Sequence, residues 1–209
     1  MFSLFGKSKP VRSTDLVWRS RAVTMKGLST EALKAVAAGR RVVMAVWFDD
    51  RRTELQHFFD TNAVPSGEIA DWQPDDDKRI WLADASKLMT YHTFFSAHPA
   101  GITVILDGHY PLTAPEDKLL EALSKVQAIQ WPVPVGVSLD EPLIHHFAGD
   151  KLLVLLERLG LGPEERLEHA MITKSIERAR EKLSETVRRE ITTHGEAEWY
   201  RLNAPVKYS

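Results

Sequence analysis

The sequence predicts an α/β fold: a parallel β-sheet covered by helices, followed by a C-terminal helical segment with one long helix. Three observations predict it. The run Val42-Val43-Met44-Ala45-Val46-Trp47-Phe48 lacks polar alternation, as a strand does when both its faces are covered. Strand-like and helix-like segments alternate from residue 28 to about 140, the pattern of a doubly wound sheet. Beyond that point the pattern is helical only. There Ile172, Ile176, Ala179, Leu183, Val187 and Ile191 form one stripe, at steps of four, three, four, four and four.

The elements follow in order. Met1 to Pro10 places apolar residues first, then lysines, then a helix-stopping proline, which reverses the order of a secretory signal. Phe2, Leu4, Phe5, Lys7 and Lys9 are candidate membrane or partner contacts, phenylalanines at a lipid interface and lysines against phosphate; a frayed terminus is the simpler reading. Leu28 to Ala38 reads as a helix through Leu28, Ala32, Ala35 and Val36, with Ser29 or Thr30 as its cap and Gly39 as its stop. The Val42–Phe48 strand follows, and Arg52 to Asp60 is its covering helix, with Leu55, Phe58 and Phe59 inward. Val64 to Lys78 is a loop and Ile80 to Ala83 a short strand; Tyr91 to Ala100 has no clear period. Ile102 to Leu106 is a buried strand closed by Asp107-Gly108, and Pro115 to Val126 a helix with Leu119, Leu120 and Leu123 inward. Val133 to Leu139 is a fourth strand, which Pro132 and Pro134 should push to a sheet edge. Short helices at Leu143–Phe147 and Asp150–Leu159 precede the long one, which starts at Leu167. On that helix Glu177, Arg178, Arg180, Glu181, Lys182, Glu185, Arg188 and Arg189 read as a solvated face of mixed sign, its pairs worth about 0.2–0.5 kcal/mol each. The stripe should pack on the sheet; a homodimer through it is the other use it allows. The organisation expected is a flexible basic and apolar segment at 1–13, an α/β domain at 14–148 and a helical extension at 149–209.

Composition narrows the function. With 209 residues, 44% hydrophobic and 27% charged, the chain can bury a substantial core. No run approaches the roughly 20 apolar residues of a bilayer span. The absence of cysteine excludes disulfides, thiolate catalysis and Cys-ligated metals, and fits a reducing compartment. A net charge of -2 gives no drive toward nucleic acid, and no specific nucleic-acid partner is expected. The charge is nonetheless uneven: residues 1–52 hold eleven Lys/Arg against four Asp/Glu.

Each proposed strand ends beside an aspartate: Asp49 and Asp50, Asp84, Asp107, and Asp140. In a parallel sheet those ends share the edge where ligands bind. A sheet-edge site built from Asp49, Asp84, Asp107 and His109 would suit a metal-dependent nucleotide binder or hydrolase. Helix N-caps are the simpler account of such aspartates. No GxxxxGK[ST], GxGxxG, HExxH or GxSxG occurs, and the adjacent His145 and His146 diverge by roughly 100° on a helix. The residues alone therefore assign no catalytic residue, cofactor or metal.

Residues 138–183 carry a more specific signal. Ser138-Leu139-Asp140-Glu141, Phe147-Ala148-Gly149-Asp150, Leu159-Gly160, and Glu168-His169 spaced to Thr173-Lys174-Ser175-Ile176-Glu177 resemble the SecA preprotein translocase ATPase family. The resembling stretch leaves that family's second nucleotide-binding domain and enters its scaffold helix; Ala170 replaces the family's proline. Fainter likeness extends over residues 14–190, through Gly39–Phe48 with Thr53-Glu54-Leu55, and through Ile102–Leu123. The resemblance implies a RecA-like sheet whose Walker motifs lie in a partner domain that 209 residues leave no room for. The departures bear on activity. Where the family has an arginine-rich motif, this chain reads Pro115-Glu116-Asp117-Lys118-Leu119-Leu120-Glu121-Ala122-Leu123-Ser124-Lys125, without the arginine that reaches a γ-phosphate. Ala83 to Leu88 stands where the family has a glycine- and arginine-bearing turn. The expectation is a stand-alone relative without catalysis. It would be a cytoplasmic accessory or interaction module with a protein partner, export being the setting the resemblance implies, touching the inner face of the membrane peripherally and needing no cofactor.

Overall fold

The computed structural model describes residues 15–74, 78–97, 101–147, 162, 164–168 and 170–204. The candidate contacts Phe2 to Lys9 and the expected Asp150–Leu159 helix lie outside the described residues. Six strands form one all-parallel sheet: β1 (Leu16–Trp18), β2 (Arg41–Val46), β3 (Ser66–Glu68), β4 (Ile80–Asp84), β5 (Ile102–Asp107) and β6 (Val135–Ser138). Their order is β1-β6-β5-β2-β4-β3. The helices are α1 (Arg21–Ala37), α2 (Asp49–Thr61), α3 (His92–Ala97), α4 (Thr113–Leu123), α5 (Pro142–Phe147), α6 (Ala170–Thr186) and α7 (Glu196–Asn203). The fold is the α/β arrangement that the sequence predicts.

The apolar run of β2 is explained by what covers it. Val42, Met44 and Val46 face α1 and α2, in a cluster with Leu28, Ala32, Leu55 and Phe59. Val43 and Ala45 face the other way, into a larger cluster with Phe94 of α3, Leu120 of α4 and Ile176 of α6. Successive strand residues point to opposite faces, so a strand covered on both sides has no polar position.

Several elements differ from expectation for identifiable reasons. Helix α1 begins seven residues early, at Arg21; Ser29 and Thr30 lie inside it and donate their hydroxyls to Met25 O and Lys26 O. Gly27 sits in its middle because Trp18 packs there: a Cβ would come within 2.3 Å of the indole ring. Strand β6 lies between β1 and β5, not at an edge. Its prolines precede the paired residues, and Pro134 contributes only its carbonyl, which accepts from Leu106 N–H. Strands β1 and β3 have three residues each, too few for a readable period. The outer edge of β1 is closed where Val17 and Leu167 exchange hydrogen bonds of 3.0 and 2.9 Å, so Leu167 pairs with the sheet and α6 starts at Ala170.

On α6 the stripe is buried from Ile172 through Leu183, whereas Ile191, past the helix end, is half exposed. Arg180, expected on the solvated face, is 0% exposed.

Gly136 of β6 faces the fully buried Leu28, and a Cβ there would stand 2.5 Å from a Leu28 methyl carbon. We expect Gly136→Ala to lower unfolding stability by about 1–3 kcal/mol through overpacking, read as a lower urea midpoint with unchanged slope.

Candidate functional site

The C-terminal ends of the strands converge on a cleft of about 410 Å³, lined by Arg21, Asp50, Arg51, Glu54, Asp140, Glu141, Pro142, Glu196 and Ala197. Asp107, the last residue of β5, is buried behind it. A buried carboxylate requires a cation, and Arg21, the first residue of α1, supplies a two-pronged pair at 2.5 and 2.7 Å. The same guanidinium reaches Glu54 at 2.7 Å, and the Arg21 backbone N–H donates to Asp140 at 3.0 Å. Burial pushes the Asp107 carboxyl up, but the charge and hydrogen bonds of Arg21 outweigh it and hold Asp107 below the usual range.

Arg51, in the first turn of α2, is the second buried cation. Its Nε donates to Glu196 at 2.7 Å and its Nη2 pairs with Glu141 at 3.1 Å. Burial opposes its charge; Glu141 and Glu196 together override this and raise its pKa. Glu141 also accepts from Ser138 N–H at 3.0 Å, which ties the end of β6 to α2 through one carboxylate. Five carboxylates thus line the cleft against two guanidinium groups.

A second ionic cluster lies deeper. Gly108, at φ +87°, turns the chain after Asp107 and sends His109 back into the protein. His109 Nδ1 is 2.9 Å from Glu116 and its Nε2 is 3.3 Å from Asp15. Arg180 grips Glu116 at 2.9 and 3.2 Å and donates to the carbonyls of Tyr110 and Leu112. Burial works against the imidazolium, but Glu116 and then Asp15 raise the His109 pKa to about 9. This cluster joins β1, β5, α4 and α6, and its near-zero solvent exposure gives it a structural role.

The four aspartate and histidine positions of the sheet-edge reading take separate places, and none lines the cleft. Asp49 contacts His194 at 2.8 Å and Arg52 at 3.4 Å. Asp84 caps the turn after β4, accepting from Ser86 N–H at 2.8 Å, with Lys87 at 3.3 Å. Asp107 is locked to Arg21, and His109 lies beneath the edge. Among the described residues, no group of three or more His, Asp and Glu is placed to hold a metal ion. No described helix is long and apolar enough to cross a membrane. Of the residues that build the cleft, Arg21 and Glu196 carried no sequence signal; Glu141 lay in the Ser138–Glu141 segment of the SecA resemblance without being read as a site residue, and Arg51 directly follows a strand-end Asp pair.

In one short stretch the chain is similar to protein translocase SecA. It is 43% identical over 47 residues to SecA 1 of Alkaliphilus metalliredigens, 22% of this chain and 5% of that protein. It is 41% identical over 49 residues to SecA of Thermus thermophilus and 43% over 49 to SecA of Sorangium cellulosum, in each case 23% of this chain and 5% of the relative. The chain thus spans about 5% of the length of the curated relatives it matches. No family model matches it. The segment 138–183, set beside the SecA family in the sequence analysis, runs from the end of β6 through α5 into α6, and Thr173 within it accepts from Asp15 N–H at 3.0 Å. Glu116 of α4 faces inward to Arg180.

Because His109 is held charged up to about pH 9, its contribution to stability is complete below its ordinary pKa near 6.5 and is lost as pH rises through 9. We expect the urea midpoint to fall between pH 7 and 9.5, and this fall to vanish in His109→Gln. Glu116→Gln leaves two buried cations short of their shared anion and is expected to cost about 3–5 kcal/mol.

Proposed function

We propose that this protein is a non-catalytic, SecA-like accessory or protein-interaction module linked to protein export, cytoplasmic and peripheral at the inner face of the membrane. The observation that carries this reading is the chemistry at the start of α2. A triphosphate on such a sheet is received at its C-terminal edge by free helix N–H groups and cationic side chains. Here the Asp49 N–H already donates to His194 O at 2.9 Å, and Asp49 and Asp50 present carboxylates. Arg21 and Arg51 are each held by two carboxylates, so a phosphate would have to displace one of them inside a cleft of negative excess. An edge of this kind repels nucleotide and suits contact with a protein. The short likeness to SecA supports export as the setting.

Calorimetry with Mg-ATP and Mg-GTP is expected to give no binding heat; micromolar affinity would overturn the reading in favour of a metal-dependent nucleotide binder. Saturable binding to the purified SecA of the same cell is expected, and its absence would remove the link to export. For the membrane contact, deletion of residues 1–9 is expected to lower the fraction that sediments with anionic liposomes. An unchanged fraction would discard Phe2, Leu4, Phe5, Lys7 and Lys9 as the anchor.

A further inference from the structure

After α6 the chain returns to the sheet and closes over the strand-end edge. Residues 190–203 are first clipped to themselves. Ile191 N–H donates to the Asn203 side-chain oxygen at 2.7 Å, and the Asn203 amide donates back to Ile191 O at 2.9 Å. Glu190 accepts from Trp199 Nε1 at 2.7 Å. The clipped segment then docks through these polar contacts: His194 O accepts from Asp49 N–H and the His194 ring meets the Asp49 carboxylate, Glu196 N–H donates to Asp50 at 3.0 Å, Glu196 takes Arg51 Nε, and Glu190 accepts from the Tyr110 hydroxyl. Trp199 and Tyr200 bury their rings in the core cluster beneath. The segment belongs to no strand of the sheet, so side chains and two backbone caps hold it there.

Two forces oppose each other in this docking. Burial of the two rings favours it. The charge of Glu196 resists it, because the edge it meets is already acidic. Facing Glu196 are Arg51 and Asp50 of α2, Glu141 ahead of α5, Arg21 of α1 and Tyr200 of its own helix; Glu54 and Asp140 share the cleft. The pair His194 and Asp49 lies at the exposed rim.

We propose that residues 190–203 are a strap that closes the strand-end edge tightly in mildly acidic conditions and loosens toward neutrality, with the Glu196 carboxyl as the sensing group. Burial pushes that carboxyl up, Arg51 pulls it back and Glu141 adds to the rise, leaving it at about 7 against an ordinary 4.5. Once released into water Glu196 returns to its ordinary value, so docking takes up a proton between those two pH values. Docking therefore strengthens as pH falls from 7 and weakens as it rises to 7, above which it no longer changes. Opening uncovers the Asp49 N–H and the Arg51 guanidinium together.

The Asp49 amide reports the strap directly, since its hydrogen bond goes to His194 O. Amide exchange is measured by NMR on the full chain at pH 5.5 and 7.5, corrected for the chemical exchange rate, with the Met44 amide in the middle of β2 as the monitor of global unfolding. Asp49 protection is expected to be roughly twentyfold higher at pH 5.5 and to stay below that of Met44 at both pH values, which marks its exchange as local opening and not global unfolding. Glu196→Gln is expected to abolish the difference, and His194→Gln to retain it. Equal protection of wild-type Asp49 at both pH values, or loss of the difference in His194→Gln, overturns the proposal even if Glu196→Gln fails to fold. Persistence of the difference in a folded Glu196→Gln overturns it as well.

Discussion

The buried carboxylate of Asp107 constrains everything at the strand-end edge. It closes β5, where the side chain has no access to water, so it must be paired. Arg21 pairs it, and that fixes where α1 can begin. An arginine at the first position of a helix sits at the wrong end of the helix dipole. The conflict is relieved locally, because Asp140 accepts the Arg21 N–H and Glu54 takes the third side of the guanidinium. Asp140 and Glu141 follow β6, and Glu141 in turn takes Arg51 from α2. One buried charge at the end of β5 thus orders the ends of β6, α1 and α2.

What could be read from the chain follows from how far apart the partners lie. Strands β2, β4 and β5 were legible because their covering is written into consecutive residues, as in Val42 to Val46. Ion pairs are not written that way. Arg180 sits among Glu177, Arg178, Glu181 and Lys182 and looks solvated, yet its partner Glu116 is 64 residues away on α4. Arg51 and Glu196 are separated by 145 positions. The start of α1 was missed for the same reason: Arg21 and Thr24 are poor helix openers alone, and what holds that turn is Asp107, Asp140 and the Ser20 carbonyl. Helix α7, only eight residues long, is placed by the burial of Trp199 and Tyr200 and carries too short a period to be recognised.

The aspartates at the strand ends illustrate how one residue type serves unlike ends. Asp84 does what an aspartate after a strand ordinarily does, accepting from the N–H two residues on. Asp50 accepts from Arg51 N–H in its own helix and from Glu196 N–H of α7, so it joins two helix starts. Asp107 caps nothing and is a buried counter-ion. Sequence position gave all three the same reading; burial separates them.

The interior and the edge handle charge in opposite ways, and this bears on what the edge can do. In the interior, His109 and Arg180 meet Asp15 and Glu116, two cations and two anions held by several elements at once. Such a cluster is costly to disturb and has no access for a ligand. At the edge, two guanidinium groups face more carboxylates than they can serve, and one of those carboxylates arrives on the last described helix. Phosphate-binding folds keep positive excess at this place, whereas the carboxylates of this cleft outnumber its guanidinium groups, and the proposed non-catalytic reading rests on that difference. The same excess would favour a cationic surface of another protein, and under the strap proposal it links the attachment of the covering helix to the protonation of Glu196.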